Sequence, residues 1–235
     1  MRALRLRCAG AELLADPSGA LIWPQHELLI VADLHLEKGS HYAARGTLLP
    51  PYDTRSTLDR LEEVLARWAP RRVISLGDAF HDREAVERLG SAELARLARL
   101  VGAQEWIWLR GNHDPDPPQG LGGEVADALE TDGLVFRHLP AQGASGIVGH
   151  LHPTASVTVR GRRLSRRCFV FSQACVILPA FGSYAGGLDV FDPAIADLFD
   201  DGFQVALMGD RRLHPLPLER LDRPPPSRCP ALQHR

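Results

Sequence analysis

Short apolar runs, each broken by a polar cluster, set the rhythm of the first half of the chain. Leu28 to Ala32, Val73 to Leu76 and Trp106 to Leu109 have the length and composition of buried strands, and each leads into a cluster rich in Gly, Asp, Asn or His. Between them, Leu58, Leu61, Val64 and Leu65 recur at helical spacing, so Thr54 to Trp68 predicts a helix that stops before Pro70. A second helix is predicted from Ser91, a capped start, carrying Leu94, Leu97 and Leu100. Residues Glu124 to Leu129 predict a short third helix. Asp16-Pro17-Ser18-Gly19 reads as the turn of a hairpin over residues 10–27, and the N-terminal alternation of arginine with leucine reads as a strand. Beyond residue 153 the pattern is strand-like: Ser156 to Val159, Cys168 to Phe171, Ala174 to Leu178, then a hairpin of Phe203 to Met208 and Arg211 to Leu216. Strands alternating with helices, followed by a strand-rich half, predict an α/β fold of two packed sheets with helices outside. The Pro-rich stretch 215–235 reads as an extended, flexible tail, which leaves 1–214 as a single domain.

Composition narrows the class. At 235 residues the chain supports one sizeable core but not two full domains. Its apolar runs are too short to span a membrane, and its N-terminus lacks the apolar core of a signal peptide, so the cytoplasm is the expected compartment. Cys8, Cys168, Cys175 and Cys229 show no CxxC pairing, which points to free thiols rather than structural zinc or redox chemistry. A formal net charge of −2 does not advertise a nucleic-acid binder. Clustering matters more than the sum: Arg160, Arg162, Arg163, Arg166 and Arg167 form a basic run in an expected hairpin connection. That run is read either as a loop contacting nucleic-acid phosphates or as a solvated hairpin tip.

The polar clusters carry the chemistry. In chain order they are Asp33-Leu34-His35, Gly77-Asp78, Gly111-Asn112-His113-Asp114, a lone His138, and Gly149-His150-Leu151-His152. Imidazole, carboxylate and amide are ligands for zinc, manganese or iron, and no thiolate accompanies them. Polar residues at the carboxyl ends of core strands are also where open α/β sheets place their sites. Asp33 and His35, two apart, can share one ion, and Asp78 can bridge two. Two such ions activate water, whose pKa falls to about 7, and stabilise both the attacking and the leaving oxygen. Taken singly, the fragments have plainer readings: DxH is more often a capping or surface pair, and GD after a strand is commonly a turn. His81 and Asp82 read equally as a pair near the metals or as a solvated helix start. Lys38, Arg45 and Arg110 read more readily as surface residues than as phosphate contacts.

The ordered series DxH, GD, GNHD, H, GHxH resembles that of the calcineurin-like metallophosphoesterases. The resemblance implies a four-layer αββα sandwich with two divalent ions. One ion would be held by Asp33, His35, Asp78 and His152, and the other by Asp78, Asn112, His138 and His150. It further implies His113 as general acid, with Asp114 orienting or charging it, and attack on phosphorus by a metal-bridging hydroxide. Longer segments are similar to the ligase-associated DNA damage response endonucleases (the PdeM type). They are Val31 to Gly39, Leu49 to Thr54, Leu76 to Asp82, Gly149 to Pro153, and Leu178 to Leu188, the last outside every metal motif. This closer resemblance implies a bacterial, manganese-dependent phosphodiesterase with nuclease activity on DNA, linked to a DNA ligase and a helicase. Iron or zinc remains an alternative to manganese. A small cyclic nucleotide or other phosphoester is the alternative substrate, and a non-catalytic scaffold for the ligase or helicase is a third reading.

Overall fold

In the computed structural model, residues 2–116, 120–141 and 145–224 are described. The strands are β1 (Leu4–Cys8), β2 (Ala11–Ala15), β3 (Leu21–Trp23), β4 (Leu28–Val31), β5 (Arg72–Ser75), β6 (Glu105–Leu109), β7 (Glu124–Ala126), β8 (Ala128–Thr131), β9 (Leu134–Arg137), β10 (Gly146–Val148), β11 (Thr154–Val159), β12 (Arg162–Phe171), β13 (Cys175–Ile177), β14 (Gln204–Met208) and β15 (Leu213–Leu216). The helices are α1 (Lys38–Ala44), α2 (Asp53–Trp68), α3 (Ala85–Arg88), α4 (Ser91–Gly102) and α5 (Pro193–Ala196).

The first seven strands make one sheet in sequential order, antiparallel from β1 to β4 and parallel from β4 to β7. The second sheet runs β15-β14-β12-β13-β10-β9-β8, with β11 paired to β12 off that path and bridged to Asp189 through Thr154. Strand β4 shows why its run is apolar throughout. Leu28 and Ile30 face the second sheet, while Leu29 and Val31 face α2 and α4, so both sides of the strand are covered. Between the sheets, Trp23, Ile74 and Ile107 meet Phe136, Phe169 and Val176. Helix α2 buries Leu58, Leu61, Val64 and Leu65, each worth about 1.5–3 kcal/mol. It ends where Ala69 turns left-handed (φ 42°) and returns its N–H to Leu65 O, ahead of Pro70. The outer face of the second sheet is covered more thinly, by the single turn α5 together with Val190, Phe199 and Leu221.

Three expectations need correction. Residues 124–129 are strand rather than helix: β7 lies parallel to β6 at the sheet edge and β8 pairs with β9. Gly122 and Gly123, both at positive φ, precede the segment, and six residues are too few to sustain an isolated helix against sheet pairing. The fold also continues past residue 214, because Pro215 and Leu216 extend β15 and Leu221 is buried. Proline is tolerated there because β15 is an edge strand. The arginine run lies mostly on a strand, since β12 begins at Arg162 and only Arg160 sits in the turn. Arg167 points inward to donate to the carbonyls of Ala180 (2.7 Å) and Gly182 (2.8 Å). Cys8, Cys168 and Cys175 are free and buried, whereas Cys229 and residues 225–235 lie outside the described residues.

Candidate metal centre

The parallel strands of both sheets deliver their carboxyl ends to one edge, and the polar clusters sit there. Asp33 and His35 follow β4, Asp78 follows β5, Asn112 and His113 follow β6, His138 follows β9, and His150 and His152 follow β10. The backbone there is unusual. Asp33 (φ 55°), His35 (42°), Asp78 (47°), His150 (69°) and His152 (45°) are all left-handed. Such positions cost on the order of 1–3 kcal/mol each and persist only when the surroundings impose them. The adjoining glycines are steric necessities. A methyl group at Gly77 would lie 2.6 Å from His138 Nδ1, one at Gly149 would lie 2.9 Å from Asp33 Oδ2, and one at Gly111 would overlap Asp78.

The structure gathers all seven expected ligands into one cluster. Asp33, His35 and His152 form one group of converging donor atoms, and Asp78, His138 and His150 form another. In the first, His35 Nε2 is 3.2 Å from His152 Nε2, which is 3.2 Å from Asp33 Oδ1. In the second, His138 Nε2 is 2.9 Å from Asn112 Oδ1, 3.2 Å from His150 Nδ1 and 3.4 Å from Asp78 Oδ2. Asp78 also reaches toward the first group, with Oδ2 3.9 Å from His35 Nε2. Separations near 3 Å are those of donors sharing an ion with bonds of about 2.0–2.2 Å.

Tautomers test whether an ion fits. His138 donates Nδ1–H to Leu76 O (2.8 Å), and His152 donates Nδ1–H to Gly186 O (3.1 Å). Both Nε2 atoms therefore present lone pairs to the cluster. Asp33 Oδ1 is buried with no hydrogen-bond donor. A buried carboxylate oxygen facing imidazole lone pairs is costly unless a cation lies between them, so the donor set fits divalent ions. The carboxylates are aimed by backbone amides: His150 N–H donates to Asp33 Oδ2 (2.9 Å) and His113 N–H to Asp78 Oδ1 (2.9 Å).

Charge states follow from burial and neighbours. Burial, helped by the charge of His152, pushes His35 down to about 2, which keeps it neutral. Burial acts to raise Asp78, but hydrogen bonding and charge from His138 and the His113 amide outweigh it and hold Asp78 at about 2. For His138 burial is again outweighed, here by Asp78 and Asp33, which raise its proton affinity. The same two carboxylates would favour a divalent ion that displaces that proton. His150 is lowered by burial and then by the charge of His138.

His113 stands beside the ligand cluster, partly exposed, with Nε2 4.0 Å from Asp78 Oδ2. Its Nδ1–H donates to His81 O at 2.9 Å. The orienting partner expected for His113 was Asp114, yet Asp114 accepts from Phe80 N–H (3.0 Å) instead, and burial raises it to about 7. Asp114 thus holds the loop that presents the His81 carbonyl, and orients His113 only through it. Sequence reading undervalued His81: its ring is buried, stacks on His113 (5.1 Å between centroids) and meets His35 Nδ1 at 3.3 Å. Its place directly before Asp82, in a segment flanked by metal motifs, was the available signal. The carbonyls of Leu76 and Gly186, which set ring tautomers, carry no sequence signal at all. Among the described residues no helix is long and apolar enough to cross a membrane.

No curated protein matches the sequence. Among solved structures, the chain is similar to Pseudomonas putida nuclease MPE, with 30% identity, TM-score 0.72, and coverage of 92% of this chain and 100% of that one. A phosphoesterase from E. coli, Yfce, covers 79% of this chain and 95% of its own at 14% identity, and its TM-score of 0.39 is too low to bear on the fold. Residues 26–210 match the calcineurin-like phosphoesterase model, a span that contains every candidate ligand. The chain belongs to the calcineurin-like phosphoesterase family and is a metal-dependent phosphoesterase.

Proposed function

We propose that the protein is a two-metal phosphodiesterase that cuts DNA. The observation that carries this reading is a likeness over 92% of the chain to a solved nuclease, combined with two candidate ligand groups that approach one another at Asp78. One ion is assigned to Asp33, His35, Asp78 and His152, and the other to Asp78, Asn112, His138 and His150. When bound, the ions supply an activated water and carry negative charge on the phosphoryl oxygens. The protein's own part is to hold these donors fixed and to manage the leaving group. His113, protonated on both nitrogens, keeps Nδ1–H on the His81 carbonyl and has Nε2–H free to protonate the departing oxygen. Asp114 fixes the loop behind it.

Manganese is the metal that the sequence resemblance implies; iron and zinc fit the same carboxylate, imidazole and amide donors. A place in bacterial DNA repair beside a ligase and a helicase is part of the same reading, drawn from the sequence resemblance. The test is hydrolysis of closed circular plasmid with manganese, run beside bis(p-nitrophenyl) phosphate and 2′,3′-cyclic AMP, with Asp78→Asn as control. Nicking by the wild type alone supports the DNA reading. Turnover of the small diesters only moves the substrate to small phosphoesters, and inactivity on all three favours a scaffold.

A further inference from the structure

A cleft of about 510 Å³ opens beside His113 and the candidate ligand Asn112. His41, His81, Asn112 and His113 line it, with Arg45 and Arg83 exposed at its mouth. Its two carboxylates are already satisfied. Asp82 accepts from Arg88 (2.6 Å) and from His41 Nδ1–H (2.5 Å), and Glu84 lies 3.8 Å from the same Arg88. Arg88 is further tied to Ser40 Oγ at 3.0 Å. Neither Arg45 nor Arg83 has a carboxylate partner among the described residues, so the cleft's uncompensated charge is positive. Burial raises Asp82's proton affinity, yet Arg88 and His41 overcome it and hold its carboxyl at about 2, so the His41 ring stays anchored over the physiological range.

We infer that this cleft receives the leaving-group side of the substrate and that Arg45 and Arg83 bind a second phosphate, one nucleotide away from the one being cut. The inference deepens the phosphodiesterase reading and rests on it. The general acid marks where the departing oxygen must be, and the cleft begins at that residue. A leaving group that continues as a polynucleotide carries an anion into the cleft, whereas a small alcohol does not. The unpaired arginines therefore select for a substrate with neighbouring phosphates. Arginine suits this because its planar fork meets phosphate oxygens two at a time.

The experiment measures inhibition of bis(p-nitrophenyl) phosphate hydrolysis by thymidine 3′,5′-bisphosphate and by the 3′- and 5′-monophosphates. The manganese-loaded enzyme is compared with Arg45→Gln, Arg83→Gln and, as control, Arg211→Gln in the β14–β15 turn. The expected result is that the bisphosphate binds about tenfold tighter than either monophosphate, as one charge-assisted contact implies. Arg45→Gln and Arg83→Gln should each shrink that ratio several-fold, while Arg211→Gln keeps it. A ratio near one in the wild type overturns the assignment, and so does equal loss in all three variants, which would mean only the general field is felt. Each ratio is internal to one protein, so altered turnover does not confound it. If the ratio behaves as expected but plasmid is untouched, the DNA reading falls and the cleft stands. If plasmid is nicked while the ratio is flat, the cleft assignment falls alone.

Discussion

The two sheets contribute unlike halves to one site. The first sheet supplies Asp33, Asp78 and Asn112, all the candidate oxygen ligands, together with His35 and the proposed acid His113. The second supplies only imidazoles, His138, His150 and His152. Each half is held by the other. The His150 amide of the second sheet aims Asp33 of the first, and the Leu76 carbonyl of the first sets the tautomer of His138 of the second. The negative charge thus sits on the sheet covered by α2 and α4. The sheet with the thinner cover brings groups that are neutral when ligating, so a change of pH or metal content is felt by the two halves differently.

The largest effect should come from the carboxylate that the two ligand groups share. Asp78→Asn is expected to lose both ions in metal analysis and to drop turnover about a thousandfold or more, since the ions supply several kcal/mol. His152→Ala, on the other sheet, should lose one ion and retain the second. Equal loss in both variants would mean the halves are not separable. Next, His113→Ala should keep both ions and lose about 10²- to 10⁴-fold on alkyl leaving groups, yet far less on p-nitrophenolate, which needs little protonation. A normal rate on an alkyl diester would remove His113 from the mechanism.

The seam between the halves is tested by Phe136→Ala, which removes a fully buried ring lying between the sheets one residue from β9's end. It should cost about 3–5 kcal/mol in denaturant unfolding and weaken metal retention as well. Intact metal affinity at that loss would show that the site does not depend on the seam. The smallest expected effect lies away from the site. Asp16 accepts from Arg67 and Trp68, tying the β2–β3 turn to α2, and these bonds together with the Ser18 amide overcome burial to lower its pKa. A lowered folded-state pKa means the stabilisation is complete above the ordinary value of 3.8 and disappears as pH falls through the folded-state value. Asp16→Asn should therefore cost roughly 2 kcal/mol at neutral pH and little in strong acid, with the metal site unaffected.

Most of the candidate ligands were legible in the sequence because their motifs are local, a strand end followed by a short polar cluster, whereas His138 has no motif of its own. Helix α2 was legible too, since its leucines keep their period whatever packs against them. The segment 124–129 was not, because its pattern suits a short helix or a strand equally and the open edge beside β6 decided between them. How Asp114 would act on His113 was not legible either: its carboxylate accepts from the Phe80 amide, so it reaches His113 through the loop that carries the His81 carbonyl.

The order and identity of the donors, the apolar strands beneath them and the family to which they belong follow from the sequence alone, since each depends on residues close together along the chain. Only the tertiary structure decided which atoms face inward, which carbonyls lock the rings, and that Arg167 clamps a loop while Arg45 and Arg83 have no carboxylate partner among the described residues. Those outcomes depend on groups separated along the chain, from Arg167 and Ala180, 13 positions apart, to Asp33 and His150, 117 apart, meeting only in the packed fold. The left-handed backbone of five of the expected ligands belongs to the same class. It is unfavourable locally, and only the packed fold holds it in place.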